Sequence, residues 1–232
     1  MTTAVIPLAS GAEGRLRNPA GELGAVLVNG GTAKPLPGTW SATSELLAEE
    51  LAPRFPRVRF LEVRYRVKTW KALESCMDDA RAAVDHLAAG GARSQLLVGF
   101  SMGGAVAIGI AGEVQVAGVL GLAPWIPSRL PLDGLTGKRL DVVHGGWDRY
   151  LPGVPGVSPA SSREGFQRAR ATGTEGTYAL IPRGLHGAAL RRRSGALLRL
   201  PGWRAWVDHT AAALRRFEES APAAPADPGV PG

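Results

Sequence analysis

Short apolar runs rich in valine, leucine and isoleucine alternate along the chain with longer stretches that carry apolar side chains on one helical face. The runs "GAVLVNGG", "VRFLEVRYR", "SQLLVGFS", "VAGVLGLAP", "RLDVVHGG" and "TYALIPRG" are bounded by glycine or proline and read as strands. Between and after them, "SATSELLAEELAPRF", "ALESCMDDARAAVDHLAAGG", "GGAVAIGIAG", "SREGFQRARATG" and "GWRAWVDHTAAALRRF" read as helices. This alternation predicts an α/β protein with a mostly parallel central sheet of about six strands and helices on both faces. "LLVGF" and "VAGVLGL" are apolar throughout, as central strands should be.

Punctuation supports these boundaries. In "SATSE", Ser41 or Ser44 precedes a glutamate as a candidate helix cap, and "AAGG" supplies a glycine stop near Gly90. The chain has 232 residues, 45% of them hydrophobic, which is enough for a substantial core. One domain is expected over residues 1–219, followed by a Pro/Ala-rich tail over 220–232, "SAPAAPADPGVPG", with too little apolar side chain to pack.

Composition narrows the function classes. No apolar run reaches the roughly 18–20 residues that span a bilayer, and "MTTAVIPLASGAEGRLR" lacks a basic segment followed by an apolar one, so a soluble, cytoplasmic protein is expected. Cys76 is the only cysteine, which excludes an intrachain disulfide, and its helical context predicts a buried apolar role. Four scattered histidines give no metal-ligand spacing, so neither a metal nor another cofactor is expected. The net charge of +7 comes mostly from arginine and is densest in "LRRRSGALLRLPGWR", read as a solvated face. Without a recognition motif or interleaved aromatics it predicts no specific nucleic-acid partner.

The stretch "LLVGFSMGGAVAIGIAG" contains G-x-S-x-G centred on Ser101. In a chain with 31 glycines about 0.2 such matches are expected by chance, so context must decide. A nucleophile elbow needs a buried strand running through a sharp turn directly into a helix. "SQLLVGF" supplies the strand, Gly99 and Gly103 the space, and "GGAVAIGIAG" the helix, whose N-terminus aims free N–H groups at the site. Ser158, in "GVSPA", has neither the strand nor the second glycine.

A serine hydroxyl needs a base to take its proton, and the base an orienting acid. Both should follow the serine, acid first, each on a loop after a strand. His86 and His209 lie inside helices and His144 within "DVVHGG", leaving His186 in "TYALIPRGLHGAAL" as the candidate base. Asp148 in "HGGWDRYLP" is the preferred acid, with Asp133 the rival from the preceding loop; Asp141 is at the wrong end of its strand. For the oxyanion, the Met102 amide follows the nucleophile, and "VLVNGGTAKP" offers Gly30, Gly31 and Thr32, of which Gly31 is the choice.

Taken in order, "VNGGTA", "VRYRV", "GFSMGG", "LAPWIP", "HGGWDRYLP" and "IPRGLHG" resemble an α/β-hydrolase over about residues 22–218, more narrowly the small lidless dienelactone-hydrolase-like serine hydrolases. The resemblance implies Ser101 as nucleophile, Asp148 as acid, His186 as base, and Met102 with Gly31 as the oxyanion hole. Two features depart from the pattern. Asn29 stands where many relatives have histidine, and serine replaces the elbow cysteine of dienelactone hydrolases proper, which shifts the expectation toward ordinary esters.

Between "LAP" and "RLDVV" lie about 14 residues, too few for a helical lid. The open site this implies favours small soluble esters or lactones, with Trp125 and Trp147 as candidate substrate walls and Trp40 and Trp70 as candidates for the rim. Two alternatives accompany this reading. One is an acyltransferase or thioesterase using the same triad, with Arg149 or Arg183 holding a phosphorylated carrier; the other is a noncatalytic binding protein that retains the fold.

Overall fold

The computed structural model describes residues 5–149 and 156–221. Its strands are β1 (Val5–Pro7), β2 (Glu13–Arg17), β3 (Leu23–Val28), β4 (Leu36–Pro37), β5 (Val58–Arg64), β6 (Val67–Lys68), β7 (Gln95–Phe100), β8 (Val116–Leu122), β9 (Arg139–Gly145), β10 (Tyr178–Ile181), β11 (Ala189–Arg191) and β12 (Leu197–Arg199). The α-helices are α1 (Ala42–Leu51), α2 (Leu73–Ala89), α3 (Met102–Gly109), α4 (Pro159–Ala171) and α5 (Trp203–Ser220). Most of the tail expected from Ser220 onward lies outside the described residues.

The central sheet has eight strands in the order β1-β2-β5-β3-β7-β8-β9-β10. From β5 to β10 every pairing is parallel, and these are the six strands expected from the apolar runs. The expected count of about six is corrected to eight by β1 and β2, which add antiparallel to β5 at the edge. Their signal was missing for a physical reason: β1 is only three residues long, and β2, "EGRLR", is half solvated and carries no apolar run or clean alternation.

Period-two alternation divides the core between two faces. In β3, Leu23, Ala25 and Leu27 pack with α1 and α5, on which Leu46, Leu47, Leu51, Trp206 and Leu214 are buried. Val26 and Val28 point the other way, toward Cys76, Met77, Val84 and Leu87 of α2 and Val106 and Ile108 of α3. Cys76 is thus the buried core side chain expected, its thiol pushed up by burial. Helix α1 starts at the expected cap: Ser41 Oγ accepts the Ser44 N–H at 3.2 Å.

A single 3₁₀ turn, Asp133–Leu135, is the only helix between β8 and β9, so no lid domain covers the carboxyl end of the sheet. Among the described residues no helix is long and apolar enough to cross a membrane, and no cluster of three or more His, Cys, Asp or Glu side chains is suited to a metal ion.

Candidate active site

The site is assembled where β3, β7, β9 and β10 end. Ser101, between β7 and α3, has φ 56° and ψ −119°, a backbone conformation that a side-chain-bearing residue adopts only when its surroundings enforce it. Three hydrogen bonds do so: Ser101 N–H donates to Leu122 O at 2.9 Å, and Ser101 O accepts the Gly104 and Trp125 amides, both at 2.9 Å. The flanking glycines are steric requirements. A Cβ on Gly99 would run into the Gly103 carbonyl, and one on Gly103 would strike the carbonyls of Val28 and Asn29 at the end of β3. The elbow and the loop after β3 therefore touch backbone to backbone.

That loop, Asn29–Thr32, is held from several sides. Asn29 Nδ2 donates to Thr39 O at 2.7 Å, its Oδ1 accepts the Gly30 amide at 2.6 Å, and the buried Tyr65 hydroxyl donates to Asn29 O at 3.1 Å. Thr32 Oγ1 lies within hydrogen-bond distance of the Lys34 and Lys68 carbonyls. The Gly30 amide is thus engaged by its own neighbour, while the Gly31 and Met102 amides have no acceptor among the described residues. Gly31 packs on Met102 so closely that a Cβ there would collide with the thioether.

Asp148 and His186 meet across the ends of β9 and β10. His186 Nδ1 donates to Asp148 Oδ2 at 2.6 Å, Asp148 being 2% exposed. Gly145 makes this approach possible, because a Cβ there would strike the carbonyls of Gly184 and Leu185, on the loop that carries His186. Gly146 N–H donates to Ile181 O and Trp147 N–H to Gly184 O, both at 2.9 Å, tying the two loops together. Burial pushes the Asp148 carboxyl up, but hydrogen bonds from His144 and His186 outweigh it and hold the group below its ordinary value. On the other flank, Thr43 Oγ1 of α1 accepts the Ala188 amide at 3.1 Å and the Ala189 amide at 3.4 Å, anchoring the loop just after His186.

Ser101, Asp148, His186, Gly30, Gly31, Trp40, Trp147 and Arg149 line one open cavity of about 520 Å³. The described residues contain no Ser101–His186 hydrogen bond, a looseness common before substrate arrives; the His186 ring lies 5.0 Å from that of Phe100, the residue preceding the serine. Trp125 and Asp133 line a different cavity of about 680 Å³ beside α2 and α3, with Leu73 and Met77. The backbone of Trp125 touches the elbow, but Trp125 does not line the cavity that contains Ser101. Trp70 is 39% exposed, and its backbone amide donates to Thr32 O at 3.3 Å.

Several residues at the site carried no individual sequence signal. Thr43 lies in the first turn of α1 and Tyr65 just after β5, positions that no local pattern marks. His144, which lies within a strand and is not the candidate base, has its ring fully buried against Asp148. The four-residue spacing within "HGGWD" was the available clue.

The α/β-hydrolase family model matches residues 25–232, and the chain belongs to that family. Solved structures share its fold at low sequence identity. An α/β-hydrolase from a Medee basin deep-sea metagenome library is 16% identical, with a TM-score of 0.71 over 94% of this chain and 98% of that one. The esterase domain of a Rhodothermus marinus protein is 17% identical, with a TM-score of 0.64 over 93% and 98%. A lidless α/β serine hydrolase from Xanthomonas campestris is 16% identical, with a TM-score of 0.64 over 97% and 98%. No curated protein matches the chain.

Proposed function

We propose that the protein is a serine hydrolase that cleaves small soluble esters or lactones through an acyl-enzyme. In this reading Ser101 is the nucleophile, His186 the base, Asp148 the acid, and the Met102 and Gly31 amides stabilise the oxyanion. The observation that carries it is the 2.6 Å His186–Asp148 hydrogen bond on the wall of the cavity that also holds the strained Ser101. With Nδ1 engaged by the carboxylate, His186 offers Nε2 as the proton acceptor.

Ser101 Oγ forms a bond to the acyl carbon as its proton passes to His186 Nε2. The tetrahedral oxyanion accepts hydrogen bonds from the two free amides, each such donor contributing about 3 kcal/mol to the barrier reduction. Collapse expels the alcohol, which takes the proton from His186. Water then repeats the sequence, giving its proton to His186 and releasing the acid and the free serine. The cavity of about 520 Å³, with Trp40 and Trp147 at its wall and no lid above it, suits small soluble acyl groups better than emulsified fats.

The test is intact-mass analysis after incubation with a fluorophosphonate. The wild type should gain one adduct, S101A none, and H186A should label slower by about a thousandfold or more. A folded wild type that is not labelled, or an S101A variant labelled equally, would overturn the reading. In an ester series, kcat/KM should fall as the acyl chain lengthens.

A further inference from the structure

Asp148 has two histidines, and only one faces the cavity. Its Oδ2 accepts from His186 Nδ1 and lies 3.1 Å from His144 Nε2 on the buried side; its Oδ1 accepts the Val157 amide at 3.2 Å. His144 Nε2 is also 2.9 Å from the Val157 carbonyl oxygen. A carboxylate and an amide oxygen can only accept, so Nε2 must carry a hydrogen. His144 Nδ1 is 2.7 Å from Ser162 Oγ of α4, Ser162 Oγ is 2.9 Å from the Tyr178 hydroxyl of β10, and that hydroxyl donates to Pro159 O at 2.9 Å.

In one assignment that gives every contact of the chain a hydrogen, the Tyr178 hydroxyl hydrogen is shared between Ser162 Oγ and Pro159 O, Ser162 donates to His144 Nδ1, and the Nε2 hydrogen is shared between Asp148 and Val157 O. His144 and Ser162 are both fully buried. Their order, serine to histidine to aspartate, repeats the one proposed for the cavity, but no substrate reaches it. Its action must therefore be on Asp148.

We propose that His144 is a positioning residue of the active site: through its Nε2 hydrogen it pins the Asp148 carboxylate and takes up part of the negative charge that His186 would otherwise draw on alone. This rests on the serine-hydrolase reading above. Ser162 locks the ring, because a hydroxyl donating to Nδ1 keeps the hydrogen on Nε2, toward the aspartate. Among the described residues, the cations Lys68, Arg149 and Arg191 line the same cavity as His186. Arg163 lies over the Tyr178 ring, 4.6 Å from its centroid, Arg149 follows Asp148 in the chain, and Asp148 is the only carboxylate within ion-pair distance of either imidazole among the described residues.

Removing the Nε2 donor concentrates the charge of Asp148 on His186, which then holds a proton more tightly. Since a protonated His186 is no base, activity on the acid side should be lost at a higher pH. The experiment measures the rate of fluorophosphonate labelling from pH 5 to 9 for wild type, H144L and H144Q, with S101A as blank and circular dichroism as the check on folding. In H144L the half-point of the acid limb should rise by about one pH unit, the scale of one charge-assisted hydrogen bond. In H144Q, whose amide returns an N–H near the Nε2 position, it should come back toward wild type.

A folded H144L with an unmoved half-point, or an H144Q that behaves like H144L, would reduce His144 to packing and overturn the proposal. Nitrogen-15 NMR of the wild-type imidazoles gives an arm that needs no variant to fold: the His144 hydrogen should sit on Nε2, and finding it on Nδ1 alone would also overturn the proposal. Failure of the wild type to label at any pH would instead remove the hydrolase reading itself, so the two failures are distinguishable.

Discussion

At the scale of single residues, the site is made by atoms that are absent as much as by those present. Gly99, Gly103, Gly31 and Gly145 each occupy a point where a Cβ would strike backbone or a buried side chain, and together they let the ends of β3, β7 and β9 close on one cavity. G103A puts a Cβ about 2.7 Å from the Asn29 carbonyl oxygen, a contact only backbone movement can relieve. It should cost about 1–3 kcal/mol, seen as a fall in Tm of several degrees, and should slow serine labelling because the displaced loop carries the Gly31 amide. The elbow was legible because G-x-S-x-G reports this crowding directly. The partners of Asp148 were not, since hydrogen bonds between β9, α4 and β10 depend on which strands lie side by side.

At the scale of elements, α1 is the support for the loop of His186. Thr43 accepts two amides from it, and Glu45 accepts from Arg191 Nη2 of β11 at 2.6 Å and from Arg15 Nη2 of β2 at 2.5 Å. T43V keeps the shape of the side chain and leaves the buried Ala188 amide without its acceptor. The expected cost is about 1–3 kcal/mol in unfolding free energy, with labelling slowed further than global unfolding alone would produce. The same contacts revise the picture of the basic segment "LRRRSGALLRLPGWR". It was expected to be a solvated arginine face, and its middle is exposed, but Ala189–Arg191 and Leu197–Arg199 pair as an antiparallel hairpin whose Arg191 and Arg199 reach Glu45 and Glu50 of α1. Two three-residue strands are too short to show a period.

Across the whole molecule, the end of the sheet away from the site is tied by Asp141 of β9. It accepts from Arg139 Nε of the same strand, from Arg216 of α5 at 2.8 Å, and from the Thr177 amide and hydroxyl before β10. Burial raises its carboxyl, and these hydrogen bonds more than offset that, leaving it below its ordinary value. The folded protein thus binds this proton more weakly than the unfolded chain does. The stabilisation is complete above the unfolded carboxylate value near pH 4 and is lost as pH falls through the folded one. D141N should lower stability at neutral pH by about 1–3 kcal/mol, moderated by the part-exposed guanidiniums, and should flatten the fall of Tm below about pH 4. Denaturant titrations of both proteins at pH 7 and pH 3 would check it, and an equal loss at both would contradict it.

What the chain determined by itself was whatever depends on near neighbours. The six parallel strands follow from local apolar runs, α1 from its cap at Ser41, and the elbow from glycines two residues either side of Ser101. That Ser101, Asp148 and His186 each follow a strand is likewise readable from the apolar runs before them. Tertiary structure alone decided that Trp125 lines a separate cavity and that β1 and β2 extend the sheet as a solvated edge. It alone sealed His144 between Asp148 and Ser162. Those outcomes depend on burial and on contacts across distant segments, and a linear pattern records neither.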